Sequence, residues 1–297
     1  MKPPQLTVVG SINEDITAVG NRLPAPGETV STADVRHSPG GKGANQAAAA
    51  ARLGADVRLV GARGNDGAGL RSLEALQAAG VDVSGVAVVA RPTGTALIVV
   101  DADGENQIAV APGANHEVQV AQTLSEAPAI LCQLELPLAT TVAAVERATG
   151  FVALNASPAV PLPTDLLDRC DLVVVNESEY AAVPALSGAR LVVVTYGAKG
   201  AVAFRSGRSI AYAEAPKVEV VSTVGAGDAF CAALVVGLLE GLPVPDALST
   251  ACAVGGAAVG TSGAQPPLRP LRDYLAADAT TRTARRTVHG RRRTADQ

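Results

Sequence analysis

The segment Leu6-Thr7-Val8-Val9-Gly10 is a short apolar run that ends in glycine, a pattern typical of a buried strand in a parallel sheet. Similar runs recur at Val57–Gly61, Ala129–Cys132, Phe151–Leu154, Leu172–Val175 and Leu191–Thr195. Ala-rich helical patterns occupy Ala44–Leu53, Leu70–Ala79, Leu138–Thr149, Gly227–Glu240 and Asp246–Gly260. Strands and helices that alternate in this way predict an α/β fold, with a mostly parallel central sheet and helices on both of its faces.

Two segments interrupt this alternation. Asp15–His37 and Thr93–Val110 are short extended runs with turn signals, among them Asp101-Ala102-Asp103-Gly104. They predict a small β-sheet set apart from the main sheet, and we expect it to act as a lid built from about residues 13–37 and 93–110. Residues 1–278 then form one domain that includes this lid, and residues 279–297 follow as a tail.

The charge of the chain is divided unevenly. The net charge is −4, but Ala279–Gln297 holds six Arg and one Asp, which leaves 18 basic and 27 acidic residues, a net charge of −9, in the remainder. Such an acidic body lacks the basic face that nucleic-acid binding requires, so no nucleic-acid partner is expected. The basic tail has the composition of a solvated, disordered extension.

Aromatic residues are scarce in this sequence. The 297 residues include three Phe, four Tyr and no Trp, although 48% of the residues are hydrophobic. Single-strand nucleic-acid binders stack bases on aromatic side chains, and many glycan-binding surfaces use flat aromatic faces, so both classes are disfavoured. The first aromatic residue is Phe151, and the half of the chain that contains the predicted lid has none.

Cysteine usage and hydropathy predict a cytoplasmic protein. The cysteines at 132, 170, 231 and 252 have no metal-ligand spacing, as expected of free thiols in a reducing compartment. Met1-Lys2-Pro3-Pro4 leads into the first strand without the apolar stretch of a signal peptide. The longest uncharged stretch, Ala247–Leu268, contains too many polar residues to span a membrane. The scattered histidines at 37, 116 and 289 are expected to be structural or surface residues.

The glycine-rich stretch Gly40-Gly41-Lys42-Gly43-Ala44-Asn45 opens the first predicted helix. It is not a Walker A loop, because glycine follows the lysine, and no dinucleotide fingerprint occurs in the chain. Its glycines would let a ligand approach the backbone, with Lys42 and Asn45 projecting toward that ligand. The alternative is a helix start with chance glycines. The chain has only four lysines against twenty arginines, which favours a function for this one.

A second stretch of small residues, Gly225-Ala226-Gly227-Asp228, leads into an apolar helix. Backbone N–H groups at a helix start are free to bind an anion, and the helix dipole favours negative charge there. Asp228 alone could merely complement that dipole. An anion site beside a carboxylate, however, is what phosphoryl transfer needs, because the anion must be stabilised and the attacking hydroxyl needs a base.

Two further motifs follow predicted strands. Asn176-Glu177-Ser178-Glu179 lies beyond a strand end, where open α/β sheets place ligands, and its oxygens could hold Mg²⁺ through waters. An N-cap with acidic residues in the first turn explains the same pattern. Thr195-Tyr196-Gly197-Ala198-Lys199-Gly200 is a second glycine loop, suited to phosphate or ribose contacts or to a plain turn between strands.

Taken together, the motifs between about Leu6 and Leu275 resemble the ribokinase, or PfkB-type carbohydrate kinase, family. The elements that carry the resemblance occur in a fixed order: Gly10-Ser11-Ile12-Asn13-x-Asp15, Pro26-Gly27-Glu28-Thr29, the Gly40–Gln46 loop, Pro112-Gly113-Ala114-Asn115, Gln133-x-Glu135 and Gly225–Asp228. The resemblance implies a three-layer, ribokinase-like α/β domain whose β-sheet lid also forms a homodimer. It further implies MgATP-dependent phosphorylation of a sugar hydroxymethyl group.

The resemblance also implies roles for individual residues. Those expected to bind the sugar are Ser11, Ile12, Asn13, Asp15, Gly40, Gly41, Lys42, Gly43, Asn45, Glu135 and Asp228. They are present in the form typical of ribokinases, which favours D-ribose and formation of D-ribose 5-phosphate. Asp228 is the implied catalytic base, and the backbone N–H groups of Gly225, Ala226 and Gly227 are the implied anion hole. The implied ATP contacts are Asn176, Thr195, Tyr196, Gly197, Ala198, Lys199, Gly200, Gly227 and Asp228, with Glu179 near Mg²⁺.

The sequence departs from the family pattern at two places. An Asp that helps to hold K⁺ in the family is replaced by Ser222, and a Ser of the same site is matched by Pro267. The other implied K⁺ positions are Val224, Ala258, Thr261 and Gly263. A monovalent ion loses much of its attraction without a carboxylate, so weak or altered K⁺ activation is expected.

The second departure is the link Tyr180–Arg190, which is short where the family has helices.

Other functions stay open at the level of sequence. One is a kinase of the same fold that acts on deoxyribose, fructose or a nucleoside. The absence of aromatic residues before Phe151 argues against a nucleoside, because such kinases tend to clamp the base with aromatic side chains. A non-enzymatic sugar-binding protein would be expected to lose Asp228 or the glycines before it, and all are present.

Overall fold

The computed structural model describes residues 2–31, 34–102, 105–120, 124 and 127–275. Most of the strands form a nine-stranded sheet. In chain order they are β1 (Gln5–Val9), β4 (Asp56–Gly64), β5 (Asp82–Val89), β8 (Ala127–Gln133), β9 (Ala148–Asn155), β10 (Leu172–Asn176), β11 (Val192–Thr195), β12 (Ala201–Arg205) and β13 (Arg208–Ala213). Their order across the sheet is β13-β12-β11-β10-β9-β8-β1-β4-β5.

The opening strand lies inside this sheet. β1 pairs in parallel with β4 on one side, with Val8 opposite Leu59, and in parallel with β8 on the other, with Val8 opposite Leu131. Only the β11–β12 and β12–β13 pairs are antiparallel. The mostly parallel sheet expected from the apolar runs is therefore confirmed, and the carboxyl ends of its parallel strands face one edge.

Helices cover both faces of the sheet. α1 (Lys42–Leu53), α2 (Gly67–Ala78), α6 (Ala226–Leu239) and α7 (Val244–Ala258) lie on one face. α3 (Leu138–Glu146), α4 (Thr164–Arg169) and α5 (Glu177–Ala182) lie on the other. Each face has its own apolar core, which confirms the three-layer α/β architecture.

Among the described residues, no helix combines the length and apolar character needed to cross a membrane.

The two interrupting segments pair into a separate four-stranded sheet. It contains β2 (Asn13–Val19), β3 (Asp34–Gly40), β6 (Gly94–Val100) and β7 (Asn106–Ala111), in the order β3-β2-β6-β7. β2 and β6 are parallel neighbours, whereas the outer pairs are antiparallel. The strands extend slightly beyond the expected segments, to residues 40 and 111. The small sheet is thus present, and its action as a lid stays a prediction.

Some boundaries differ from the sequence prediction. The helix predicted to reach Thr149 ends at Glu146, because Ala148 already begins β9. Three strands were not predicted: β5 and β13, which are half-exposed and mix polar with apolar residues, and β12, whose apolar run Ala201–Phe204 was not recognised. The short link after Tyr180 contains the end of α5 and one 3₁₀ turn, Pro184–Gly188. The predicted disordered tail at residues 279–297 lies outside the described residues.

Candidate active site

Asp228 lies in the first turn of α6 and is buried, with 8% of its surface exposed. Two side-chain amides donate to its carboxylate: Asn45 Nδ2 to Oδ2 at 3.0 Å and Gln46 Nε2 to Oδ1 at 2.9 Å. Burial raises the pKa of Asp228, while the charge of Lys42 and these two hydrogen bonds oppose the rise. The carboxylate is thus held in a fixed orientation, in surroundings that make it a stronger base than an exposed Asp.

Glu135 lies just beyond β8 and accepts hydrogen bonds both from the glycine-rich loop and from Ser11, which follows β1. Its Oε2 accepts a hydrogen bond from Ser11 Oγ and another, at 3.0 Å, from the backbone N–H of Lys42. The N–H of Gly43 donates in turn to Ser11 Oγ at 3.3 Å. The structure therefore brings together four of the residues expected to bind sugar, although they are far apart in the sequence.

Four charged groups meet in this region: Asp15, Lys42, Glu135 and Asp228. Burial lowers the pKa of Lys42, but the negative charges of Asp228, Glu135 and Glu179 outweigh that effect, so the net shift is upward. Burial raises the pKa of Asp15 to about 6, and the charges of Glu135 and Asp228 contribute to the rise. Two buried carboxylates, the half-buried carboxylate of Glu135 and one ammonium group form a polar pocket suited to a ligand with several hydroxyl groups.

Asn13 is oriented by Asn115, which belongs to the Pro112–Asn115 motif. Asn115 Nδ2 donates to Asn13 Oδ1 at 2.7 Å, and Asn115 also bonds to the N–H and carbonyl of Ile12. Because the Asn13 oxygen is engaged, its amide nitrogen is left to face a ligand. The Ile12 side chain packs in the core and its N–H is engaged, so the predicted sugar contact of Ile12 finds no free group here.

Two glycines in this region permit close approach of the backbone. A Cβ on Gly40 would overlap the carboxylate of Asp15. Gly41 has φ +89°, and a Cβ there would lie 2.8 Å from the backbone nitrogen of Asn13. Glycine is required at both positions because any side chain would displace a predicted sugar-binding residue. The alternative of chance glycines in this loop does not account for these contacts.

A cavity of about 590 Å³ lies beside the start of α6. Its lining is mostly apolar and includes six of the residues expected to bind ATP: Asn176, Thr195, Gly197, Ala198, Gly200 and Gly227. The predicted glycine loop connects the antiparallel strands β11 and β12, so it is both a turn between strands and a wall of the cavity. An apolar cleft with a few polar groups is typical of a small-molecule site.

Three predicted ATP contacts, Tyr196, Lys199 and Asp228, do not line this cavity. The Tyr196 side chain packs against the apolar core on the α3 face, and the backbone carbonyl of Lys199 accepts a hydrogen bond from Tyr212. Sequence reasoning missed several apolar lining residues: Ala215, Pro216, Val218, Val220, Phe230, Cys252 and Val259. A signal was available in Val218 and Val220, which alternate with Glu219 as in a strand, although the structure forms no strand there.

The N-terminus of α6 lies between the cavity and the polar pocket. Gly227 lines the cavity, whereas the adjacent Asp228 bonds to Asn45 and Gln46. Gly225 is the N-cap, with φ +77°, and a Cβ there would overlap the carbonyl of Ala264. The N–H of Ala226 donates to the carbonyl of Thr223 at 3.3 Å, so one of the three predicted anion-hole donors is engaged.

Asn176 and Glu179 form a capping box at the start of α5. Asn176 Oδ1 accepts from the N–H of Glu179, and Glu179 Oε2 accepts from the N–H of Asn176, both at 2.8 Å. The N-cap alternative is therefore present in the structure. The remaining lone pairs could bind waters of a hydrated Mg²⁺, so the residues fit an outer-sphere role only. Within the described residues, no group of three or more His, Cys, Asp or Glu could hold a metal directly.

The positions expected to hold K⁺ fit that ion poorly. Ser222 Oγ accepts from the N–H of Val224 at 3.2 Å, and the carbonyl of Ala258 accepts from both the N–H and the hydroxyl of Thr261. Gly263 and Pro267 are exposed and contribute backbone oxygen at most. No carboxylate is present at any of the six positions.

Asp15 makes the stability of the ligand-free protein depend on pH. Its folded-state pKa of about 6 lies above the usual value of 3.8, so folding favours the protonated form, and stability falls as pH rises from about 4 through about 6. We expect Asp15→Asn to remove that loss and to stabilise the protein by roughly 3 kcal/mol at pH 7 and above. Urea unfolding at pH 4.5 to 8 measures the difference, with Asp165→Asn as the exposed control. Parallel curves for wild type and Asp15→Asn would contradict it.

The fold and the site define an α/β phosphotransferase with a buried carboxylate between a polar pocket and a nucleotide-sized cavity. Residues 4–270 match the family described as pfkB family carbohydrate kinase. The chain belongs to this family of carbohydrate kinases.

Individual relatives are similar over most of the chain. A ribokinase of Bacillus subtilis is 35% identical over 292 residues, which cover 91% of this chain and 99% of the relative. The structure of Arabidopsis thaliana ribokinase complexed with ribose and ATP has a TM-score of 0.82 and 32% identity, covering 92% of this chain and 98% of that one. Thermotoga maritima ribokinase has a TM-score of 0.81 and 32% identity, with the same coverage of both chains.

Proposed function

We propose that this protein is an ATP-dependent kinase that phosphorylates the 5-hydroxyl of D-ribose to give D-ribose 5-phosphate. The observation that carries the proposal is the position of Asp228, which faces the polar pocket from the helix whose start borders the cavity. A sugar in the pocket and a nucleotide in the cavity would meet at this carboxylate. The ribokinases of Bacillus subtilis and Arabidopsis thaliana, both similar along nearly their whole length, support ribose as the acceptor.

Asp228 takes the proton from the attacking hydroxyl in this proposal. Its raised pKa makes it a better proton acceptor, and the two amide donors keep one orientation of its oxygens. The N-terminus of α6 and the ammonium group of Lys42 place positive charge close to the same carboxylate. Positive charge at this place stabilises the negative charge that develops on the transferred phosphoryl group.

The sugar pocket fits a small polyol better than a nucleoside. Its side chains are carboxylates, amides and one ammonium group, and the first aromatic residue of the chain is Phe151. Asn13, fixed by Asn115, offers a donor, whereas Asp15 and Glu135 offer acceptors for sugar hydroxyls. The nucleoside alternative is not favoured, because this pocket offers no aromatic clamp for a base.

Magnesium enters with ATP in this proposal, where it would neutralise phosphate charge. Asn176 and Glu179 would orient its water ligands from the start of α5, and no protein residue needs to coordinate it directly.

A homodimer through the small sheet is also proposed. In its support, the apolar side chains of Val35, Leu97, Ile108 and Val110 are 50–57% exposed. We further propose a cytoplasmic location.

Activation by K⁺ is expected to be weak or altered. Ser222 provides no negative charge, and its hydroxyl already accepts from Val224, so a monovalent ion gains little at this loop. Turnover should be nearly equal in potassium chloride and in choline chloride of the same ionic strength. Ser222→Asp should introduce a saturable dependence on K⁺, and Ser209→Asp on β13 serves as the control for an added surface charge. A large, saturable stimulation of the wild-type protein by K⁺ would contradict this expectation.

An acceptor panel tests the proposed function. Purified protein is incubated with MgATP and with ribose, deoxyribose, fructose or a nucleoside, and ADP release is followed by a coupled assay. Ribose should give the highest kcat/KM. A preference for a nucleoside would overturn the proposal, as would ADP release that is independent of every acceptor.

A further inference from the structure

We propose that Gln46 is the positioning residue that holds Asp228 as an ionised base, by donating a hydrogen bond that only a correctly oriented amide can supply. The inference rests on the proposed function, because it assigns a role to a neighbour of the catalytic carboxylate. Gln46 is fully buried on α1 and is not among the residues expected to bind sugar or nucleotide. It acts through Asp228 and is not itself a catalytic residue.

The hydrogen-bond network fixes which way the Gln46 amide faces. Asn155 Nδ2 donates to the carbonyl of Val174 at 3.0 Å, so Asn155 presents its oxygen to Gln46. Gln46 Nε2 donates to that oxygen at 2.8 Å and to Asp228 Oδ1 at 2.9 Å, which uses both of its hydrogens. Because both neighbouring groups are acceptors, the reverse orientation of the Gln46 amide would place oxygen against oxygen.

Gln133 holds the other end of the same amide. Its Nε2 donates to Gln46 Oε1 at 2.7 Å, and Gln133 lies at the end of β8, two residues before Glu135. The orientation of the Asp228 carboxylate is therefore set from three strands, β8, β9 and β10. This buried chain resists reorientation of Gln46, because rotating its amide would break all three of its hydrogen bonds, although Gln133 Oε1 itself has no partner among the described residues.

The charged neighbours of Asp228 determine how strongly the hydrogen bond from Gln46 affects the ionisation of Asp228. Among the described residues, Lys42 on α1 is the positive group that acts on Asp228, while Glu135 beyond β8 and Asp15 on β2 are negative, and Cys231 lies one turn further along α6. Asn45 also donates to Asp228, but it is itself expected to bind sugar. Gln46 is thus the donor to Asp228 that is not itself expected to contact a ligand.

The first test uses Gln46→Met, which keeps the length of the side chain and removes both donors. With whichever sugar is best in the acceptor panel, the acidic limb of the kcat/KM profile should move to higher pH by about one unit. The value of kcat at neutral pH should fall roughly tenfold or more, with KM for the sugar little changed. Thr250→Val, which removes a buried hydroxyl that bonds only within α7, is the control and should leave the profile unchanged. An unmoved profile in Gln46→Met would overturn the proposal.

A second test does not depend on activity. The hydrogen bond from Gln46 stabilises the ionised form of Asp228, so the stability difference between wild type and Gln46→Met should widen as pH rises and Asp228 ionises. In an Asp228→Asn background the widening should disappear. Gln46→Glu places a second carboxylate beside Asp228, and its stability should fall more steeply with pH than that of wild type. This variant replaces Gln46→Met if the latter does not fold.

These tests separate the inference from the proposed function. If the wild-type protein phosphorylates no sugar, the proposed function fails, and the pH dependence of stability still decides whether Gln46 holds an ionised Asp228. If wild type is active but Gln46→Met leaves the profile unmoved, or its stability difference from wild type does not widen with pH, the inference fails alone.

Discussion

Replacing Asp228 by Asn is expected to lower turnover by about 10²- to 10⁴-fold, the usual contribution of a positioned base. The side chain keeps its size and stays buried, but its amide nitrogen cannot accept from Asn45 or Gln46, so one of these two hydrogen bonds is lost. Sugar binding should still change much less than turnover. A loss in kcat with a nearly constant dissociation constant for the sugar is the signature of a group needed in the transition state. Steady-state kinetics and calorimetric titration with ribose measure the two quantities.

A matched control is available in the neighbouring helix. Asp246 lies in the first turn of α7, as Asp228 does in α6, but it lies outside the polar pocket. Asp246→Asn should therefore retain wild-type turnover. If Asp228→Asn also retains it, Asp228 is not the base, and the assignment of the reacting centre is wrong.

The second large effect, a loss of both stability and activity, is expected from Gly43→Ala. A Cβ on Gly43 would overlap backbone atoms of Gly10 and Ser11, which directly follow β1 and cannot move as a flexible side chain can. The loop and the strand end must therefore separate, at a cost of at least about 2 kcal/mol of stability. The same shift would break the hydrogen bond from Gly43 to Ser11 and displace Lys42 from Glu135, so activity should fall with stability.

Gly188→Ala is the control for this substitution. No heavy atom lies within 4 Å of a Cβ built on Gly188, so the added methyl group meets open space. Urea unfolding of both variants should show a large loss for Gly43→Ala and little change for Gly188→Ala. Equal stability of the two variants would contradict the close approach of the loop to β1.

Much of the fold could be predicted because its strands are buried on both faces. Leu6–Gly10 and Leu172–Val175 are continuous apolar runs, and they occupy interior positions of the sheet. The edge strands β5 and β13 were missed because half-exposed strands mix polar and apolar residues. The end of α3 was misplaced because the Arg147–Thr149 sequence continues the helical pattern while β9 already pairs with β8 from Ala148.

The candidate site was predicted from its glycines and its charged residues, and its supporting residues were not. Lys42 and Asp228 stand out because each charge lies beside a glycine loop, whereas Glu135 was implied by the family resemblance alone. Gln46 and Asn115 belong to motifs that carry the resemblance, but they are uncharged and act on other side chains, so the sequence does not reveal their roles. The apolar wall of the cavity, with Val218 and Val220, lies in a segment that forms neither helix nor strand, and only the tertiary structure brings it against α6 and α7.

The most direct test of the proposed reaction is the identity of its product. Protein, MgATP and D-ribose are incubated together, and the sugar product is examined by phosphorus and proton NMR. We expect one new phosphate monoester coupled to the two protons on C5 of ribose, formed in step with ADP. A phosphate on any other carbon, or ADP and inorganic phosphate without a sugar phosphate, would contradict it.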